Sequence, residues 1–123
     1  NSHYSGYIWL SKTAEGDTID YFCITSPEYS DLPNQGNSII LELDYKCTES
    51  FQVGLRAKIS GVETFPLYNV NPSPTWNKIY LNLGPRITDT PGASWFEFYI
   101  ASSVDPDSEA EFYFDNIKLI YRD

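Results

Sequence analysis

Methionine is absent from the 123 residues, histidine occurs once and cysteine twice. Each scarcity removes a class of chemistry. Without Met the chain has no initiator, so a piece upstream of Asn1 is expected to have been removed; a signal peptide, a lipoprotein leader and a simple boundary all fit. The one imidazole, His3, sits at the N-terminal end, and neither Cys has a partner nearby, so the base that a nucleophilic triad needs is missing. Cys23 and Cys47 show no C-x-x-C spacing, which gives no support to a zinc or redox site. Both lie among apolar strand residues, either as inert thiols or as a disulfide, and the spacing leaves the two open. Basic residues are few, 8 against 17 acidic, for a net charge of -9 and a pI near 4.4. The resulting negative potential repels phosphate backbones and anionic headgroups, which disfavours nucleic acid and membrane surfaces as partners. No apolar run approaches the roughly 18 residues of a membrane span, and no G-x-x-x-x-G-K phosphate loop occurs.

What is present is apolar and aromatic: 41% hydrophobic residues, with 3 Trp, 10 Tyr and 7 Phe. A chain of this size can bury roughly two-thirds of its unfolded surface, so residues 1–123 are read as one domain with a true core. Period-two alternation recurs along it. Ile39, Leu41, Leu43 and Tyr45 share one parity while Glu42, Asp44 and Lys46 take the other. Phe51, Val53, Leu55 and Ala57 face inward, with Gln52, Arg56 and Lys58 outward. Ile79, Leu81 and Leu83 repeat the pattern. In the segment from Trp95 to Ala101, Phe96, Phe98 and Ile100 take the core side, which leaves Trp95, Glu97 and Tyr99 on the outward one. Turn residues separate eight strands, at about 4–10, 19–25, 38–47, 51–59, 63–70, 76–83, 94–101 and 111–121. This predicts an all-β fold, an antiparallel jelly-roll β-sandwich of about eight strands. In the last strand the parity of Phe112 and Phe114 does not continue into Ile117, Leu119 and Tyr121, so a bulge is expected at Asp115 and Asn116.

That strand, Phe112-Tyr113-Phe114-Asp115-Asn116-Ile117-Lys118-Leu119, resembles the closing strand of galactose-binding-like β-sandwiches, the fold of many carbohydrate-binding modules. Trp76-Asn77-Lys78-Ile79-Tyr80-Leu81-Asn82-Leu83 is similar to a strand of related domains in surface lipoproteins of Bacteroidetes-type gut bacteria. The resemblance implies a concave sheet built from the second, fourth, fifth and seventh strands. Carried over by strand order, that sheet holds Gln52 and Arg56 from the fourth strand and Trp95, Glu97 and Tyr99 from the seventh. Outward rings suit the C–H face of a sugar, and the flanking amide, carboxylate and guanidinium groups suit its hydroxyls. The competing reading has Trp95 and Tyr99 covered by the Ser26 to Asn37 loop or engaged in cross-strand pairs.

The resemblance also implies a structural calcium held partly by Asp115, although the acidic N-terminal partner stretch is missing and only Glu15 and Asp17 stand in for it. The Asp105 to Glu109 loop lacks the Gly and the final Glu of a calcium loop and reads as a solvated turn. A glycosidase needs two carboxylates across a pocket; Glu97 offers one without an identifiable second. The chain is therefore read as a non-enzymatic, extracytoplasmic module of the cell surface or periplasm, with a glycan as ligand. The alternative is a structural or interaction domain whose aromatic face docks another protein domain.

Overall fold

The alternation along the chain becomes two stacked antiparallel sheets in the computed structural model. The structure describes residues 2–3, 8–11, 20–30, 32, 38–104 and 110–121, with side chains described for 25–30, 32, 38–102 and 110–121. Seven long strands carry the fold: β3 (Asp20–Thr25), β4 (Ile39–Cys47), β5 (Phe51–Lys58), β6 (Val62–Val70), β7 (Ser73–Asn82), β8 (Trp95–Val104) and β9 (Glu111–Tyr121). Two short segments, β1 (Ser2–His3) and β2 (Ile8–Ser11), both pair with β9, so the single strand expected at 4–10 appears as two pieces along one neighbour.

One sheet runs β1-β9-β4-β7, with β2 also on β9; the other runs β3-β8-β5-β6. This interleaved order is the jelly-roll arrangement of two Greek keys. The second sheet contains the same four strands that the family resemblance groups together.

Between the sheets lies the core anticipated from parity. Ile39, Leu41, Leu43, Val53, Leu55, Ile100 and Phe114 are sealed from solvent, and burying each such side chain favours folding by roughly 1.5–3 kcal/mol. An edge-to-face chain of rings joins the sheets: Tyr45 of β4 to Phe51 of β5 at 5.2 Å, and Phe51 to Phe114 of β9 at 5.1 Å. Cys47 is a buried free thiol in this core, and burial pushes its pKa up. The side chain of Cys23 lies outside the described residues.

Two local features differ from or refine the expected pattern. The stretch 84–92, expected as a loop, contains the helix α1 (Gly84–Thr88). Pro85 near its start supplies a helical φ and lacks an N–H that would be orphaned there. Asn82 Oδ1 accepts the Gly84 N–H at 3.0 Å, and Ile87 inserts into the core. In β9 the pairing with β4 slips by one residue between Glu42 and Asp44, opposite Lys118 and Asp115. Asn116 takes φ 53°, a left-handed conformation that Asn tolerates. The bulge therefore falls where the parity break put it.

Candidate functional site

The five residues singled out on the β3-β8-β5-β6 sheet do come together. Cross-strand register sets Arg56 opposite Glu97, Gly54 opposite Tyr99 and Lys58 opposite Trp95, with Gln52 one pair further on beside Ala101. Their state, however, is not the expected open platform. Tyr99 is 4% exposed and Glu97 8%, and Trp95 is half-buried. The expectation of a solvent-facing position is corrected for Glu97 and Tyr99, which are buried, while Trp95 keeps part of its surface exposed.

Gly54 and local pairing explain the correction. A Cβ at Gly54 would sit 2.5 Å from the Tyr99 hydroxyl oxygen, so the Tyr99 ring lies down over the gap that the missing side chain leaves. Its hydroxyl donates to Gln52 Oε1 at 2.8 Å. Arg56 Nη1 donates to Glu97 Oε1 at 2.9 Å. β8 is also flanked on both sides, by β5 and by β3, and the chain beyond β3 stays alongside it through an isolated Tyr29–Phe96 bridge. The polar groups meant for a ligand thus satisfy one another.

The outward face of the β1-β9-β4-β7 sheet is built differently. Register across β9, β4 and β7 produces successive rows: Tyr113 beside Lys46, Asp115 beside Asp44 and Lys78, and Lys118 beside Glu42 and Tyr80. In the first row Lys46 Nζ stands 4.9 Å from the Tyr113 ring centroid and 5.9 Å from that of Trp76, and the two rings meet edge-on at 6.4 Å. An ammonium over ring faces is attracted to their negative quadrupole. In the next rows Lys78 Nζ bridges Glu42 Oε2 (3.2 Å) and Asp44 Oδ1 (3.3 Å), and Lys118 Nζ approaches Glu42 Oε2 at 3.5 Å. Asp44 Oδ2 also accepts from Asn116 Nδ2 at 2.8 Å, and this hydrogen bond, together with Lys78 and Lys118, lowers its pKa. Hydrogen bonds to Glu42 and Asp44 raise that of Lys78.

Trp76 and Tyr80 share a parity on β7, an edge strand with β4 on one side only. They are 48% and 62% exposed. Four residues of strand separate them, about 14 Å, with Lys78 between. Sequence reasoning missed this cluster, although the signal was there: Tyr80 has the opposite parity to Ile79 and Leu81, and Tyr113 to Phe112 and Phe114.

Asp115, the residue expected to take part in a calcium site, lies at the bulge. Its Oδ1 accepts the Asn116 N–H at 2.8 Å, and the facing carboxylate, Asp44, is taken by an amide and an ammonium. Among the described residues no group of three or more His, Cys, Asp or Glu side chains is placed to hold a metal; Glu15, Asp17 and the 105–109 loop lie outside them.

Protein-family models give no match to this chain, and neither do curated protein sequences. Solved structures do. A CBM4 carbohydrate-binding module superposes over 98% of this chain and 78% of its own, at 12% identity and TM-score 0.53. A carbohydrate-binding module of the β-sandwich superfamily, described for promiscuous specificity, matches over 98% at 12% identity and TM-score 0.57. The fold is that of carbohydrate-binding-module β-sandwiches. The same fold also occurs within the enzymatically active domain of tailspike protein 4 of bacteriophage CBA120, at 13% identity and TM-score 0.56. This chain spans 55% of the length of the superfamily module and 19% of that of the tailspike domain. Among the described residues no helix is long and apolar enough to cross a membrane.

Proposed function

We propose that this domain is a non-catalytic glycan-binding module of an extracytoplasmic protein, with its ligand held on the outward face of the β1-β9-β4-β7 sheet. The observation that carries the reading is the pair of exposed rings, Trp76 and Tyr80, on one side of an edge strand beside a row of carboxylates and ammonium groups. A pyranose C–H face packs on each ring, and Lys78 between them, which spends two of its three ammonium hydrogens on Glu42 and Asp44, offers the third to a hydroxyl. The spacing of the rings favours an oligosaccharide over a single sugar. Glu97, the carboxylate considered for catalysis, is closed against Arg56, which supports binding without turnover. Similarity of fold to carbohydrate-binding modules agrees with this reading and with a setting at the cell surface or in the periplasm.

The test is a glycan array with the 123-residue chain, followed by titration of any hit against Trp76→Ala. Loss of binding in a folded variant supports the reading. An array without hits, on protein that instead pulls down a defined partner domain through the same face, would replace it with the docking alternative.

A further inference from the structure

Charges on the outward face of the β1-β9-β4-β7 sheet are paired unevenly. Its carboxylates are engaged within the face: Asp44 Oδ1 takes Lys78 and Oδ2 takes Asn116, while Glu42 Oε2 takes both Lys78 and Lys118. Asp115 Oδ1 accepts the Asn116 N–H. Glu111, which precedes Tyr113 on the same side of β9, is turned onto that residue's hydroxyl, which donates to its Oε1 at 2.7 Å. Lys46 is left over. No carboxylate pairs with it among the described residues, and its ammonium rests on the Tyr113 and Trp76 rings at 4.9 and 5.9 Å from their centroids. Ring faces attract the charge, yet they replace an oxygen acceptor only weakly. The group is also within reach. Lys46 is half-buried, and among the described residues only Arg86 Nε is both sealed from solvent and without a hydrogen-bond partner, so the Lys46 ammonium stays open beside the exposed Trp76 ring.

We infer that the glycan on this face carries an anionic group, the carboxylate of an acidic sugar or a sulfate ester, which Lys46 binds while the sugar bearing it stacks on Trp76. The inference rests on the sheet-face reading and adds the charge of the ligand. A hydroxyl would meet Lys46 as a neutral acceptor only. An oxyanion makes the stronger, charge-assisted bond and neutralises the one ammonium on the face that has no carboxylate partner. A cationic sugar would be repelled by Lys46 and Lys78 beside the rings. The net charge of -9 does not decide the contact, because exposed charges more than about 8 Å away are largely screened at physiological salt.

The experiment is a proton–nitrogen NMR titration of the 123-residue chain with two matched pairs of oligosaccharides: glucuronyl xylotriose and its methyl ester, and sulfated neocarratetraose and its desulfated form. The first pair tests a carboxylate and the second a sulfate. The Trp76 indole N–H, assigned by its loss in Trp76→Phe, reports on the site. At least one acidic member should move that signal saturably and bind about fivefold or more tightly than its neutral counterpart. Lys46→Met should bring that preference within about twofold, and Lys46→Arg should keep it. The comparison of acidic with neutral members on the parent chain stands whether or not Lys46→Met folds. Equal or tighter binding of the neutral members at Trp76, or a preference unchanged in folded Lys46→Met, overturns the inference and leaves the sheet-face reading in place. No movement at Trp76 with any of the four overturns the inference, and saturable shifts confined to another part of the chain overturn the sheet-face reading with it.

Discussion

On the four-stranded sheet, the outward residues of β5 and β8 close on one another: Tyr99 lies over Gly54 and reaches Gln52, and Arg56 holds Glu97. On the opposite sheet, Trp76 and Tyr80 stand 48% and 62% exposed beside Lys46, Lys78 and Glu42. Both faces carry rings, carboxylates and cations at alternate positions of neighbouring strands. What separates them is the place of the ring-bearing strand in its sheet. β8 has neighbours on both sides and a glycine directly across, so a large side chain can lie flat and be covered. β7 is an edge, and its rings have a neighbouring strand on one side only. Outward parity therefore says which way a ring leaves the sheet, and the strand's neighbours decide whether it stays open.

This contrast can be broken from either side. The largest effect belongs to the core that both faces share: Phe98→Ala should cost about 3–5 kcal/mol, read as a lowered urea midpoint, since its ring is buried against both sheets. Next comes Gly54→Ala. The added Cβ would strike the Phe65 carbonyl oxygen and the Tyr99 hydroxyl, so a loss of about 1–3 kcal/mol is expected. A neutral result would show that Tyr99 does not depend on the glycine. Tyr99→Phe should then cost about 1 kcal/mol, the scale of one hydrogen bond whose acceptor, Gln52 Oε1, is left behind.

Smaller effects are expected on the five-stranded sheet. Asn116, with Lys78 and Lys118, lowers the pKa of Asp44. A depressed carboxylate contributes stability that is complete above its unfolded value, about 3.9, and is lost as pH falls through the lower folded value. Asn116→Gly keeps the left-handed backbone and removes the amide donor. It should lower stability by a few tenths of a kcal/mol at neutral pH, and the difference from the parent should vanish in acid below the folded pKa. A difference that persists there would assign the effect to the backbone instead. The smallest expected effect is none: with Asp115 bound to the Asn116 N–H, melting curves in EDTA and in millimolar calcium should coincide. A rise in Tm with calcium would restore a metal site at the bulge or elsewhere in the chain.

Much of the fold was legible because burial on one side of each sheet writes a period of two into the residues. Ile39 to Tyr45 and Phe51 to Ala57 were assigned to the core by parity alone, and they are core. The bulge was legible for the same reason, since an inserted residue reverses the parity between Phe114 and Ile117. The helix after β7 was hidden because five residues are too few for a helical period, and Pro85 reads equally as a turn. The site was only half legible. Parity turned Trp95, Glu97 and Tyr99 outward and the family resemblance carried them onto one sheet with Gln52 and Arg56, yet nothing local to those residues says that Tyr99 would lie over a glycine three strands earlier in the chain. The cluster of Lys46, Trp76 and Tyr113 joins three strands, and its register is fixed only by the long-range pairing of β4 with β7 and β9.

The central claim is that the ligand sits on the open ring face and not on the closed one. Its most direct test is a titration of one glycan, identified with the parent chain, against Trp76→Ala and Trp95→Ala, with circular dichroism to confirm that both variants fold. Trp76→Ala should weaken binding about tenfold or more, as loss of a central aromatic anchor does, while stability changes by no more than about 0.5 kcal/mol. Trp95→Ala should bind within about twofold of the parent. Binding abolished by Trp95→Ala and untouched by Trp76→Ala would contradict the account and return the site to the four-stranded sheet.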